Sequence, residues 1–224
     1  GGDVIFAKLA KKWQSIHQIK IVTNEKGSAF CLQKGVYPKN ISLQKSSWID
    51  RFPLIFIEIY KSLISLIREF ISPQREVNLI FSSSFFLPDL LPAVIAKIKN
   101  PQAKLIVGIY LLFPSPFGFK KYHGGQLKLF FLFLSQKISL FLIHRFANLA
   151  LTASDKDLKS LPCPTLAIRG GVDLNAIKKV KTPKKKYHLI YFGRFHSQNG
   201  ILDLLTIWQK VAVKLPAVKF LMIG

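Results

Sequence analysis

Short apolar runs of strand type alternate along this chain with longer segments of helical period, and that alternation most constrains what it can fold into. "VNLIFSSS" (77–84), "AKLIVGIY" (103–110), "ANLALTAS" (147–154), "TLAIRGG" (165–171), "YHLIYFG" (187–193) and the segment 218–223 read as strands. Between them, 54–70, 87–100, 127–146 and 200–214 read as helices. Upstream, 3–15 reads as an amphipathic helix with Ile5, Leu9 and Trp13 four apart. Residues 18–24 alternate like a strand. Residues 30–43 read as one or two short strands joined by the turn "YPKN". Strands separated by helices pair in parallel through crossovers, so the class is α/β.

Half of the 224 residues are hydrophobic, enough to build a sizeable core. Two βαβ systems are visible, joined by "KKVKTPKKK" (178–186), in which six of nine residues are lysine. The second system stops after β-α-β at "FLMIG", and the chain opens on a glycine pair at the start of a helix. Both termini fall inside recognisable units, so the chain reads as a fragment of a longer protein.

The formal net charge is +22, from 33 Lys and Arg against 11 Asp and Glu. Such a surplus attracts polyanions without choosing among them. Its distribution is uneven: no acidic residue lies between Asp89 and Asp155, an interval that holds eight Lys or Arg. Nucleic acid is not the expected partner, because no RNP, helix-turn-helix or zinc-finger pattern is present and the aromatics sit in apolar runs. Cys31 and Cys163 have neither metal nor redox spacing. His17, His123, His144, His188 and His196 show no metal spacing and read as structural or solvent-exposed; His196 alone lies in a candidate site loop.

That loop is "FGRFHSQNG" (192–200), which leaves the carboxyl end of a strand and enters a helix. Open α/β sheets bind ligands at such turns. The helix start offers free N–H groups, Arg194 a forked permanent charge, and Gly200 close backbone approach, a set suited to a diphosphate. An ordinary turn with an exposed arginine fits the same residues. Neither a GxGxxG fingerprint nor a P-loop is present.

"HLIYFGRFHSQNGILDLLTIWQKVAVKLPAVKFLMIG" resembles the opening of the C-terminal domain of GT-B-fold glycosyltransferases of family 4. "AIRGGVDLNAI" is similar to that family's domain junction, "ALTASDKDL" to the strand before it, and "GGDVIFAKLAKKW" to its N-terminal glycine loop and first helix. The resemblance implies an N-terminal Rossmann-like, acceptor-side domain over 1–172, a basic linker over 173–186, and the start of a nucleotide-sugar-binding domain over 187–224. It implies a retaining hexosyltransferase-like enzyme that moves a sugar from a nucleotide-diphosphate sugar to a glycan or lipid-linked acceptor, with no cofactor beyond that co-substrate and no metal. A non-catalytic relative, or a basic protein of membrane surfaces or nucleic acid, is the alternative.

Carried onto this sequence, the donor and phosphate set is Gly1, Gly2, Arg194, Asn199 and Gly200, with Tyr110 as the acceptor-side or sugar-proximal candidate. No catalytic residue is named. Asn199 stands where the family has a lysine, Tyr110 in the neighbourhood of a family histidine, and Gly170 at the junction asparagine. The family's paired glutamates would fall beyond residue 224. The implied location is cytoplasmic and peripheral on the inner face of the plasma membrane.

One segment has two readings. Residues 127–146 combine Phe and Leu with Lys128, Lys137 and Arg145, which interrupt any membrane span. A core helix of the N-terminal domain is the favoured reading, and a helix lying on an anionic membrane the other.

Overall fold

The computed structural model describes residues 2–44, 54–72, 76–116, 126–153, 161–168, 174–180, 186–193, 195 and 199–224. It divides into two compact units, Gly1–Gly171 and Val172–Gly224. Every strand pairing among the described residues is parallel, as the alternation of strands and helices requires.

The first unit opens with α1 (Gly2–Trp13), which turns Ala7 and Ala10 inward. Strand β1 (Ile21–Asn24) follows and pairs with β2 (Ile41–Gln44). Between them the expectation of strand fails at its start: Glu25–Gln33 is a helix, α2. Its ends explain why. The Asn24 side chain accepts from the Gly27 N–H, an N-cap bond of 2.8 Å. At the other end Gly35 has φ of 84°, the Gly35 N–H donates to Leu32 O and the Val36 N–H to Cys31 O. This is a Schellman motif, closed by the buried pair Cys31 and Val36. Asparagine and glycine at these two positions outweigh the short apolar pattern between them.

A four-stranded sheet in the order β3-β4-β5-β6 forms the centre of the unit, a Rossmann-like order. Its strands are β3 (Leu79–Ser82), β4 (Lys104–Ile109), β5 (Leu149–Thr152) and β6 (Thr165–Ala167). Three helices accompany them: α3 (Leu54–Ile71), α4 (Leu87–Lys99) and α5 (Gln126–Phe146). Leu105, Val107 and Ile109 of β4 are essentially fully buried, with Leu90 and Val94 of α4, Ile143 of α5 and Ala150 of β5 around them. Phe6 of α1 stacks on Phe81 of β3 with ring centroids 5.6 Å apart, which ties the first helix to this sheet.

The face that α3 turns inward carries serines. Leu63, Ile67 and Phe70 share a stripe and are exposed, while Ser62 and Ser65 are buried. Ser65 Oγ spends its hydrogen bond on the Ser62 carbonyl, so its burial leaves that hydroxyl satisfied. Lys99, on α4, holds the far end of α3: its Nζ donates to the carbonyls of Glu69, Phe70 and Ser72 at 2.6–2.8 Å. A cation at a helix C-terminus meets both the orphan carbonyls and the negative end of the dipole. Lys99→Met, which keeps the stem and removes the charge, is expected to cost about 1.5–3 kcal/mol. Urea unfolding followed by circular dichroism measures it, and an unchanged midpoint would show the cap to be idle.

The second unit contains α6 (Leu174–Lys178), a short helix within the expected linker, and β7 (Leu189–Phe192), α7 (Ile201–Lys214) and β8 (Phe220–Ile223). The last three form a single β-α-β unit, with Trp208 of α7 packed on Phe220 of β8. His188 Nδ1 accepts from the Lys219 N–H at the start of this strand pair, a structural use of an imidazole.

Candidate functional site

The carboxyl ends of β3 and β4 and the start of α1 meet at Tyr110. Its ring lies across two glycines. A Cβ added at Gly2 would come within 2.5 Å of Tyr110 Cε2. One added at Gly108 would come within 2.6 Å of the same atom and 2.7 Å of the Ser83 carbonyl oxygen. Both positions are therefore glycine for want of room, not for a left-handed backbone. The structure brings together two residues named from sequence, Gly2 and Tyr110, and adds Gly108, which the sequence reading passed over. A glycine inside an otherwise apolar strand was the available signal.

The Tyr110 hydroxyl is buried and has no hydrogen-bond partner among the described residues. Burial raises the pKa of the phenol, and the nearby Asp3 carboxylate raises it further, so Tyr110 stays a neutral donor. Beside it, the serine run after β3 becomes a small hydrogen-bonded turn. Ser82 Oγ donates to the Ser84 carbonyl, and Ser84 Oγ donates to the Asp89 carboxylate. Ser84 Oγ also accepts weakly from the Phe86 N–H at 3.3 Å. Asp89 thus sits in the first turn of α4, where the dipole favours an anion. The protein crowded around its carboxyl raises its pKa, against the lowering effect of Ser84, and Asp3 adds to the rise. Much of the Asp89 residue is nonetheless exposed to solvent, so the shift carries little weight for stability.

Ser84, Asp89 and Asp3 were not singled out from sequence. Their presence gives this corner of a strongly basic chain two carboxylates and a neutral phenol. Such groups accept from and donate to hydroxyls; they do not by themselves draw in a diphosphate.

In the second unit the loop between β7 and α7 is described in part. Gly1 and Arg194 lie outside the described residues, as does His196. Gly200 is the N-cap of α7 with φ of 71° and ψ of 21°, and a Cβ there would meet nothing. Here the backbone angle, not crowding, calls for glycine. Among the described residues no side-chain hydrogen bond caps the start of α7, a position where first-turn N–H groups can meet a ligand. Asn199 is exposed immediately before it. Two shallow surface depressions lie away from both places. One of about 240 Å³ runs along α7 at Ile207 and Val211, and one of about 390 Å³ lies at Pro116, Leu127 and Phe130.

No group of three or more His, Cys, Asp or Glu that could hold a metal occurs among the described residues. Cys31 and Cys163 are free, and burial raises the pKa of both thiols, the opposite of what a reactive cysteine needs.

No protein-family model and no curated protein matches this sequence. Among solved structures, Anabaena Alr3699/HepE, determined in complex with UDP-glucose, matches over the whole of this chain with a TM-score of 0.53 at 14% identity. The chain spans 66% of that protein's length, slightly under two thirds. At that identity the likeness speaks to fold, and it agrees with the GT-B-like α/β architecture of parallel sheets expected from the sequence.

Proposed function

We propose that this chain is part of a glycosyltransferase that takes its sugar from a nucleotide-diphosphate donor. The observation that supports the reading most is the fold shared along the full chain with a protein solved with UDP-glucose bound. The proposal extends to a retaining, metal-independent transfer to a glycan or lipid-linked acceptor, in glycan, glycolipid or cell-envelope biosynthesis.

The residues divide by unit. In the second unit, Arg194 would pair with the donor diphosphate and stabilise the departing nucleotide, while the start of α7 at Gly200 would offer N–H groups to the same phosphates. Asn199 contributes a hydrogen bond without charge. In the first unit, Tyr110 would meet the acceptor or transferred sugar, its neutral hydroxyl buried and unpartnered among the described residues. The Tyr110 ring covers Gly2, so Gly2 reaches a donor phosphate only if the ring swings away. Uridine diphosphate and UDP-glucose are expected to bind the chain, as read by saturation-transfer NMR and calorimetry. Arg194→Ala is expected to weaken either ligand about 10- to 100-fold, the loss of a charge-assisted contact. If no nucleoside diphosphate or its sugar binds the folded chain, the reading fails.

A further inference from the structure

Helix α5 is built inside out. Leu129, Leu132, Gln136, Ser139 and Ile143 form its buried face. Two of those five are polar. Gln136 is fastened there by both ends of its amide: its Oε1 accepts from the Phe113 N–H at 2.6 Å and its Nε2 donates to the Phe113 carbonyl at 3.1 Å. The opposite side carries Leu127, Phe130, Phe131, Leu134, Ile138 and Phe141, every one of them exposed. At 100° per residue these six fall in one stripe, about 21 Å long at the helical rise, directly across from the buried face. Water-facing helices of globular domains carry their polar residues there, so this stripe is placed for contact.

Charge says with what. Lys128 and Lys137 lie on either side of the stripe by the same helical count, and Arg145 continues it at the C-terminal end. The Lys137 ammonium rests over the Phe133 ring, 5.2 Å from its centroid, so its stem follows the apolar surface. The helix has no acidic residue, nor has any position from 90 to 154. By length and composition alone α5 is apolar enough to cross a membrane. Its inward face is nevertheless engaged with the core of the first unit, through Ile143 and the Gln136–Phe113 bonds. A helix held by one face, with an apolar stripe flanked by lysines on the other, fits the plane of a lipid surface. We infer that the outer face of α5 seats the chain on an anionic bilayer, with Phe and Leu among the acyl chains and Lys128, Lys137 and Arg145 at the headgroups.

Vesicle co-sedimentation tests this without reference to sugar transfer. The chain is expected to pellet with vesicles of phosphatidylcholine and phosphatidylglycerol, and far less with phosphatidylcholine alone. Lys128→Gln with Lys137→Gln is expected to weaken binding about 30-fold. Leu134→Gln with Phe141→Gln is expected to weaken it at least about tenfold, with unfolding midpoint and circular dichroism unchanged because both side chains are on the surface. The inference is overturned if the folded chain stays in the supernatant with both vesicles. It is equally overturned if the α5 variants bind as the parent does, which would assign attraction to general basicity such as the 178–186 lysine run. Dissociation of a dimer by Leu134→Gln with Phe141→Gln, without vesicle binding by the parent, would give the stripe to a second copy of the chain.

Discussion

Gly108→Val is expected to destabilise the first unit by about 3 kcal/mol or more, lowering its melting temperature by about 6–12 °C. The reason is specific to the place. Position 108 is buried near the carboxyl end of β4, and any Cβ there drives into both the Ser83 carbonyl and the Tyr110 ring. The carbonyl belongs to the backbone beside a paired strand and yields little; the ring is a side chain and yields more. Removing the ring with Tyr110→Ala should therefore recover only part of the loss at Gly108. Gly200→Ala is the control. That glycine has open space around it and a left-handed backbone, so alanine should cost about 1 kcal/mol through strain alone. Thermal melts of the three variants distinguish crowding from strain, and equal costs at 108 and 200 would refute the distinction.

Leu105→Ala is the second large effect, expected at about 2–5 kcal/mol. Leu105 is fully buried on β4 among the residues of the main core. Its backbone N–H is held by the Asn148 side-chain oxygen and its carbonyl by the Asn148 N–H, which fixes the entry to β5. A truncated side chain there leaves a cavity that the tethered backbone cannot close, so the cost should fall in the upper half of that range. Chemical unfolding monitored by circular dichroism measures it. A loss under about 1 kcal/mol would mean that the core relaxes around the site.

The alternation of strand and helix placed the sheet strands of the first unit and the β-α-β of the second within a few residues, because period and apolar run length are local properties. Where local chemistry competed, the pattern alone misled. Residues 30–33 open the stretch expected as strand, yet Asn24 and the Gly35 Schellman turn place them in the helix 25–33. Both caps are legible in the sequence once the run is read for helix ends.

Facing is different in kind. The pattern of α3 shows correctly that Leu63, Ile67 and Phe70 lie together, and says nothing of which side turns inward. For α5 the favoured reading of a core helix is half met: one face is buried, and the most apolar stripe is not. Periodicity sorts residues into faces, but only the neighbours of a helix select one of them. In α3 the inward Ser65 hydroxyl donates to the Ser62 carbonyl one turn away, and in α5 Gln136 is matched to the Phe113 backbone, 23 residues distant. The second match depends on segments far apart in the chain.

Of the site, the sequence offered candidate residues and said nothing of their surroundings. Gly2, Tyr110 and Asn199 came forward through the family resemblance, and Gly200 also through its place before a helix. That Tyr110 lies over Gly2 and Gly108, with Asp3 and Asp89 nearby, follows from β3, β4 and α1 converging at one end of a sheet. The sequence by itself determined the class of fold, the order of its elements and the sign of its charge, because each is written in local pattern and composition. The tertiary structure alone decided which faces are buried, which glycines are there for lack of room, and which polar groups lack a partner among the described residues, because all three depend on contacts between residues remote in the chain.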